Sequence, residues 1–434
     1  MFTGRHQLLQ PGLRCRQTRR SQAIISMVPA LQYPHYKGTP WILNGDMATI
    51  YPFIAFKLPR VEYDRRWLSV NTKHLRGAEI PKVNPFRDSD TVSKNRRVAS
   101  NVVDVKLRED TNGNANRAQE IIQPENGSAK GKAADDCRSS VEEAVALDLA
   151  LPESGMDPAK PFYLVLHGLN GGSSEAYVLD FAAEALKREC GVCVMVSRGC
   201  MGTPVRGSEI FHGARTSDVA DTVRTLRLAL PAETPLCLVG YSMGAIIAAN
   251  YVAISGENSG VTCCVSMSGS FDTRTNMTSQ HSLRLWQPML ALNLKENFVS
   301  NNTGKLAARG IKLAQVEMCR DVLAFDTQMV APYNGYASVT DYYIDMSAGA
   351  ENKILGLKTP LLAVSALDDP IMTAAGSPID AEEVKDLYIL LTRSGGHVGW
   401  ATGWLPTRNK WSWMSSTSLD FCEAVVATAS LAGS

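Results

Sequence analysis

The sequence contains no run of 18 apolar residues; its longest apolar stretches, such as Phe162–Leu166 and Ala245–Ala249, are far shorter. A membrane-spanning helix needs about 20 such residues, so these runs are expected to be buried elements rather than spans. Net charge is nearly absent too, at +1 from 44 Lys and Arg against 43 Asp and Glu. No global field therefore favours nucleic acid or an acidic partner. Ten cysteines are present, but Cys190 and Cys193 form a lone C-x-x-C with no second pair at ligand spacing, which argues against a metal site. Cys193, Cys237 and Cys263 sit in apolar runs, where a free thiol behaves as a small hydrophobe. A reducing, intracellular compartment is expected over a disulfide framework. No internal repeat is visible.

Acidic residues are missing from the first 45 positions, where Arg5, Arg14, Arg16, Arg19 and Arg20 lie among Ser, Gln and Leu. That composition predicts either an organelle transit peptide or a disordered basic start. The location expected is cytoplasmic or organellar.

What is present is ordinary globular material, 45% hydrophobic and 20% charged over 434 residues. Residues 1–30 form the basic tail. Residues 31–106 mix aromatic and apolar residues with Pro and are expected to form an ordered extension packed on the core. Residues 107–138 are rich in Asn, Gly, Gln, Lys and Asp; so few large apolar residues cannot bury enough surface to fold, and a disordered polar insertion is expected. From about 139 the pattern changes. Strand-like runs at Val145–Leu149, Phe162–Leu166, Val192–Val196, Leu236–Val239, Val261–Met267, Leu361–Ser365 and Leu387–Leu391 alternate with segments of helical period at Glu175–Cys190, Asp218–Leu230 and from Met243 to about Ala253. This alternation predicts an α/β fold, with a mostly parallel sheet covered by helices on both faces. The core would comprise 139–270 and 351–434. Residues 271–350 turn mainly helical, with no evident strand partner for Trp286, Met289, Leu290, Phe298 or Met318, and read as a cap inserted over the sheet.

Gly240-Tyr241-Ser242-Met243-Gly244 fits G-x-S-x-G. The pattern alone is weak, but an apolar strand runs into it and a helix of small residues follows. A nucleophile elbow requires that context, because the serine sits on a tight, strained turn that only small flanking residues permit. Its place at a helix N-terminus favours developing negative charge. A serine hydroxyl also needs a base. Of seven histidines, His397 lies late in the chain, in the loop Ser394-Gly395-Gly396-His397-Val398-Gly399 after the last strand. The base in turn needs a carboxylate to orient it. Asp368-Asp369-Pro370 follows the strand Leu361–Ser365 and completes the chain order Ser, Asp, His of this arrangement. Asp369 is favoured and Asp368 kept as the alternative acid. The oxyanion donors expected are the N–H groups of Met243 and of Leu169, the latter in His167-Gly168-Leu169-Asn170-Gly171-Gly172 after the strand Phe162–Leu166; loss of one such donor typically lowers turnover roughly 100- to 1000-fold. His167 is expected to brace this loop.

These motifs, in this order, resemble the α/β-hydrolase family, in particular the branch of bacterial carboxylesterases and eukaryotic α/β-hydrolase-domain lipases (the AB-hydrolase-4 group). Matching segments are Tyr36, Pro40-Trp41-Ile42-Leu43-Asn44-Gly45 with Ala48-Thr49-Ile50; His167 through Ser173; Arg198-Gly199-Cys200; Phe325-Asp326, Tyr333-Asn334-Gly335-Tyr336 and Asp341-Tyr342-Tyr343; Asp368-Asp369-Pro370; and Gly395 through Trp400. The resemblance implies a serine esterase or lipase cleaving lipid-like or short-to-medium acyl esters, monoacylglycerols among them. It implies no cofactor and no metal, and it carries an expectation of peripheral membrane contact. The insertion at 107–138 and Ala245-Ile246 after the elbow depart from the family pattern. Arg198 is expected to anchor the cap through a salt bridge rather than hold an anionic head group. Two other readings remain open: a catalytically idle hydrolase fold serving as a binding or scaffold module, and an acyltransferase using the same triad.

Overall fold

The computed structural model describes residues 10–70, 102–103, 143–203, 205, 210–373, 376 and 380–431. The polar insertion expected over 107–138 lies outside the described residues, as does most of 71–106.

Ten strands form one sheet: β1 (Gly12–Cys15), β2 (Asp64–Val70), β3 (Val102–Val103), β4 (Glu143–Ala150), β5 (Phe162–Leu166), β6 (Val192–Val196), β7 (Leu236–Tyr241), β8 (Cys263–Met267), β9 (Leu361–Ala366) and β10 (Leu387–Thr392). Their spatial order is β1-β10-β9-β8-β7-β5-β6-β4-β2-β3. The six strands from β10 to β6 are parallel, and the pairings at both margins are antiparallel. Every residue of β5 to β10 is buried, as expected where helices cover both faces. Alternation along each strand splits the core in two. Tyr163, Val165, Val239 and Val265 point to one face, with Phe181 of α3 (Ala176–Lys187) and Phe421 of the C-terminal helix (Ser412–Ala427). Leu164, Leu166, Leu238 and Cys264 point to the other, with Val223 of α4 (Thr216–Ala229) and Tyr251 of α5 (Met243–Ser255).

The start of the chain departs from the expected basic tail. Residues 12–15 are β1, an edge strand antiparallel to β10, and Arg19–Met27 form α1, capped by Thr18 in a reciprocal pair with Ser21. Ile24, Val28 and Leu31 recur at helical spacing and are buried in the first core face. Three such side chains contribute roughly 1.5–3 kcal/mol each. Their burial orders residues 10–31, whatever the lack of acidic groups suggests. A second helix, α2 (Gly45–Ala55), is capped by the Asn44 side chain and lies against the carboxyl ends of β9 and β10, as described below.

Between β8 and β9 the chain forms short helices, including Gln280–Leu285, Gln287–Leu294, Ser300–Ala308, Val322–Phe325 and Val339–Met346. All of these but Gln280–Leu285 share a separate apolar cluster in which Phe298, Phe325, Val330 and Tyr342 meet Ile246 of α5. These helices lie within residues 271–350. Trp286 and Phe298 are buried, whereas Met289 and Met318 are exposed. Among the described residues, the salt bridge expected of Arg198 runs to the core instead of the cap, namely to α4. Arg198 makes a two-pronged ion pair at 2.7 and 2.9 Å with Asp218 of α4, both side chains buried. The turn after β6 is thereby fixed to the core helix.

Candidate active site

At the end of β7 the chain reverses into α5, and Ser242 occupies the turn at φ 54° and ψ −118°. This left-handed backbone is strained for any residue other than Gly. The neighbouring glycines explain why the turn can close. A β-carbon on Gly240 would lie 2.3 Å from the Gly244 carbonyl oxygen, and one on Gly244 would lie 2.3 Å from the Leu166 carbonyl oxygen. The Ser242 N–H is held by the Met267 carbonyl of β8 at 2.9 Å. The hydroxyl therefore projects above the sheet at the start of α5.

His397 stands in the loop after β10. Its Nε2 lies 2.8 Å from Ser242 Oγ, and its Nδ1 lies 2.8 Å from Asp369 Oδ2. The other oxygen of Asp369 accepts the N–H groups of Ile371 and Met372 at 2.8 Å each, which fixes the carboxylate plane. With Nδ1–H donated to Asp369, Nε2 is left as the acceptor for the serine proton. Asp368 turns elsewhere and accepts the Gly396 N–H at 2.9 Å. Burial, together with the adjacent Asp369, raises its carboxyl above the usual range. The two aspartates thus have separate tasks: one faces the imidazole and the other ties down the loop that carries it.

The loop after β5 closes against the nucleophile, since a β-carbon on Gly168 would come 3.3 Å from Ser242 Cβ. The Gly168 N–H is taken by the Tyr177 hydroxyl at 3.1 Å. His167 faces the Gly168 carbonyl through Nδ1 at 2.7 Å and accepts the Ser197 N–H through Nε2 at 3.1 Å. Burial pushes its imidazole down to about 4, so it is neutral and braces the loop. The next residue, Leu169, lines the same cavity as Ser242 and Met243. Met243 opens α5, where N–H groups have no intrahelical acceptor. Both residues expected to supply oxyanion donors thus border the cavity that holds the serine.

The helix α2 supplies a contribution that the motifs do not disclose. Thr49 Oγ1 accepts the His397 N–H at 2.8 Å while donating to the Gly45 carbonyl at 2.6 Å. Contact is so close that a β-carbon on Gly396, at φ +63°, would lie 2.7 Å from the Thr49 nitrogen. Asp46 accepts the Trp286 indole N–H at 2.7 Å and faces His281 at 2.9 Å, so α2 also holds the cap. Ala48-Thr49-Ile50 appears in sequence only as part of a family signature; its contact with His397 spans 348 positions and has no local signal. Ser268 likewise accepts the Val398 N–H at 3.0 Å.

Above the serine lies a cavity of about 450 Å³. Its walls are mainly apolar, among them Ile50 and Phe53 of α2 and Trp286, Leu290, Val322 and Met346 of the cap. Polar side chains interrupt them: besides Ser242 and His397, these include Thr49, Glu175, Tyr177, Thr273, Gln287, Asp326, Tyr342 and Tyr343. Burial raises the Glu175 carboxyl and pushes that of Asp326 up to about 7. Elsewhere, Cys237, Cys263 and Cys422 bring three sulfurs within 4.8 Å of one another. They are buried in the sheet core beneath the C-terminal helix and line none of this cavity. The nine described cysteines are free and buried.

Comparison with known proteins agrees with this arrangement at the level of the fold. The family described as "alpha/beta hydrolase fold" matches residues 164–399, more than half of the chain. The chain is 32% identical over 260 residues to the monoacylglycerol lipase of Saccharomyces cerevisiae, a match covering 57% of each protein. It is 29% identical over 268 residues to an abhydrolase domain-containing protein of Dictyostelium discoideum, covering 60% of this chain and 66% of that one. With phospholipase ABHD3 of Homo sapiens it shares 24% over 273 residues, covering 62% and 64%. The matched region thus spans between about half and two thirds of these relatives. On the sheet order and the extent of the family match, the chain belongs to the α/β-hydrolase family.

Proposed function

We propose that the protein is a carboxylic ester hydrolase that cleaves lipid-like acyl esters through an acyl-enzyme on Ser242. The observation that carries this reading is the unbroken line from Asp369 through His397 to Ser242, at 2.8 Å in each step, opening onto an apolar cavity. His397 Nε2 takes the Ser242 proton as Oγ bonds to the ester carbonyl carbon. The carbonyl oxygen, now anionic, accepts the N–H groups of Leu169 and Met243. As the C–O bond breaks, the imidazolium gives its proton to the departing alcohol. Water then attacks the acyl carbon, loses a proton to His397 and releases the acid, and the proton returns to Ser242.

The cavity supports an acyl chain as the group held: about 0.8 kcal/mol accompanies each buried methylene. Names carried by relatives, monoacylglycerol lipase and phospholipase, point the same way. Among the described residues no helix is long and apolar enough to cross a membrane. Peripheral contact with a lipid surface belongs to the same reading, because Ile50, Phe53 and Ile54 of α2 and Met289 of the cap line the cavity and are also exposed. Co-flotation with phosphatidylcholine vesicles measures it, and protein left at the bottom of the gradient would remove that part.

The central experiment is labelling of the purified protein with a fluorophosphonate probe, alongside Ser242→Ala and His397→Ala, followed by a panel of acyl esters. Labelling of the wild type alone, with ester turnover, is the result expected. A folded wild type that takes no label would favour a binding module built on a hydrolase fold, and labelling without ester turnover would turn attention to other acyl acceptors.

A further inference from the structure

Asp326 has no part in the chemistry just described, yet it is a carboxyl in the wall of the same apolar cavity. Its residue is 6% exposed. Oδ2 accepts the hydroxyl of Tyr343 at 2.9 Å, and Oδ1 takes no hydrogen bond among the described residues. It makes no ion pair among them either; the nearest charged influence is Asp321, of like sign. A carboxylate offers about four acceptor sites, and a buried polar group is ordinarily paired because leaving it unmet is costly. The backbone is unusual at the same point. Asp326–Val330 is a single π-helical turn between helices, as is Lys295–Val299 elsewhere in the cap, a form frequent at functional sites. That turn sets Asp326 on the wall of two adjoining spaces, the main cavity and a smaller one, both also lined by Met243. Met243 is the residue whose N–H faces the ester oxygen in the proposed reaction. An acceptor with spare capacity therefore lines the same cavity as the nucleophile Ser242.

Most other polar side chains on the wall are already engaged: Thr49 by the His397 N–H and the Gly45 carbonyl, Tyr177 by the Gly168 N–H and Tyr342 by the Gly213 N–H. Gln287 donates to Ser282 and accepts the Val322 N–H. Thr273 is bonded to Ser347 and the Tyr343 carbonyl. Glu175 is less buried. An ammonium group would bring three donors into a space that offers few acceptors, whereas a hydroxyl needs one. We infer that Asp326, held by Tyr343, accepts a hydrogen bond from a free hydroxyl on the alcohol portion of the substrate, and so selects partial esters of a polyol over esters of simple alkanols. This rests on the ester-hydrolase reading above and narrows it to a substrate class.

The test compares kcat/KM for glycerol monodecanoate and propyl decanoate, which share the acyl chain and differ in the hydroxyls. Wild type is expected to favour the glycerol ester. Asp326→Leu lowers that preference roughly 10- to 100-fold, the range of one hydrogen bond to a charged or partly charged group. Asp326→Asn, which retains a carbonyl acceptor, keeps part of it. The labelling rate of Ser242 by the fluorophosphonate shows whether each variant is folded; if Asp326→Leu is not, the measurable fall in preference must appear in Asp326→Asn. A preference that is the same in wild type and both variants, or that is lost in Glu175→Leu instead, overturns the inference. Wild type that hydrolyses both esters equally overturns it too and leaves the hydrolase reading standing. Wild type that hydrolyses neither refutes the reading on which it rests.

Discussion

Replacing Asp326 by Asn tests the burial argument through stability, independently of any substrate. In the folded chain burial holds this carboxyl's proton until about pH 7, whereas its ordinary value is 3.8. Between those pH values the folded state binds more protons than the unfolded state, so stability falls as pH rises through that window and the penalty is complete above about 7. Asn carries no titrating proton and can still accept from Tyr343. At pH 5.5 the unfolded carboxyl is already ionised while the folded one is protonated. From there to 7 the penalty grows by about 1.4 kcal/mol per pH unit, or about 2 kcal/mol in all. Urea unfolding followed by tryptophan fluorescence at pH 5.5 and 8.5 measures it. The difference in unfolding free energy, Asn variant minus wild type, should move by about 2 kcal/mol in favour of the variant at the higher pH. Parallel behaviour of the two proteins at both pH values would show that the carboxyl is not desolvated and would refute the reasoning.

The division of labour between the aspartates gives a second expectation. Asp369→Asn should lower kcat by about 10⁴-fold, since it upsets the tautomer of the base. Asp368→Asn, which keeps an acceptor for Gly396, should lose roughly tenfold or less; steady-state kinetics on one soluble ester distinguishes them, and equal losses would contradict the assigned roles. Thr49→Val removes the acceptor of the buried His397 N–H at nearly constant volume. It should slow both ester turnover and fluorophosphonate labelling by roughly 10- to 100-fold through displacement of the histidine loop, with Thr49→Ser restoring most of the rate. Labelling at the wild-type rate in Thr49→Val would show that α2 does not position the base.

The sheet is legible in the sequence because β5 to β10 are buried on both faces, and such strands read as continuous apolar runs. The elbow is legible for a related reason: its glycines are dictated by backbone contacts within a few residues and to the next strand. Adjacent aspartates are different. Both follow the same strand, and only the turn, with the Asp369 N–H returning to the Ala366 carbonyl at 3.2 Å, decides which carboxyl meets the imidazole. Thr49 is further still from sequence-level reach, because its contact with His397 arises from packing between segments 348 positions apart. Composition misdirects at the N-terminus, where arginines conceal the burial of Ile24, Val28 and Leu31.

The pairing of β1 with β10 joins Gly12 to Leu391, and α2 reaches across to His397 over a similar span. A ribosome adding roughly 5–20 residues per second needs about 20–80 s to emit the chain between the two members of such a pair. Throughout that interval β1 lacks its partner strand and Thr49 lacks the His397 N–H, while β5, β7 and α5 can already assemble around Ser242. The nascent polypeptide would carry a serine on its elbow with neither base nor acid beside it. Reactivity would then switch on late and all at once, when the last strand docks and the opening and closing segments of the chain meet over the same loop.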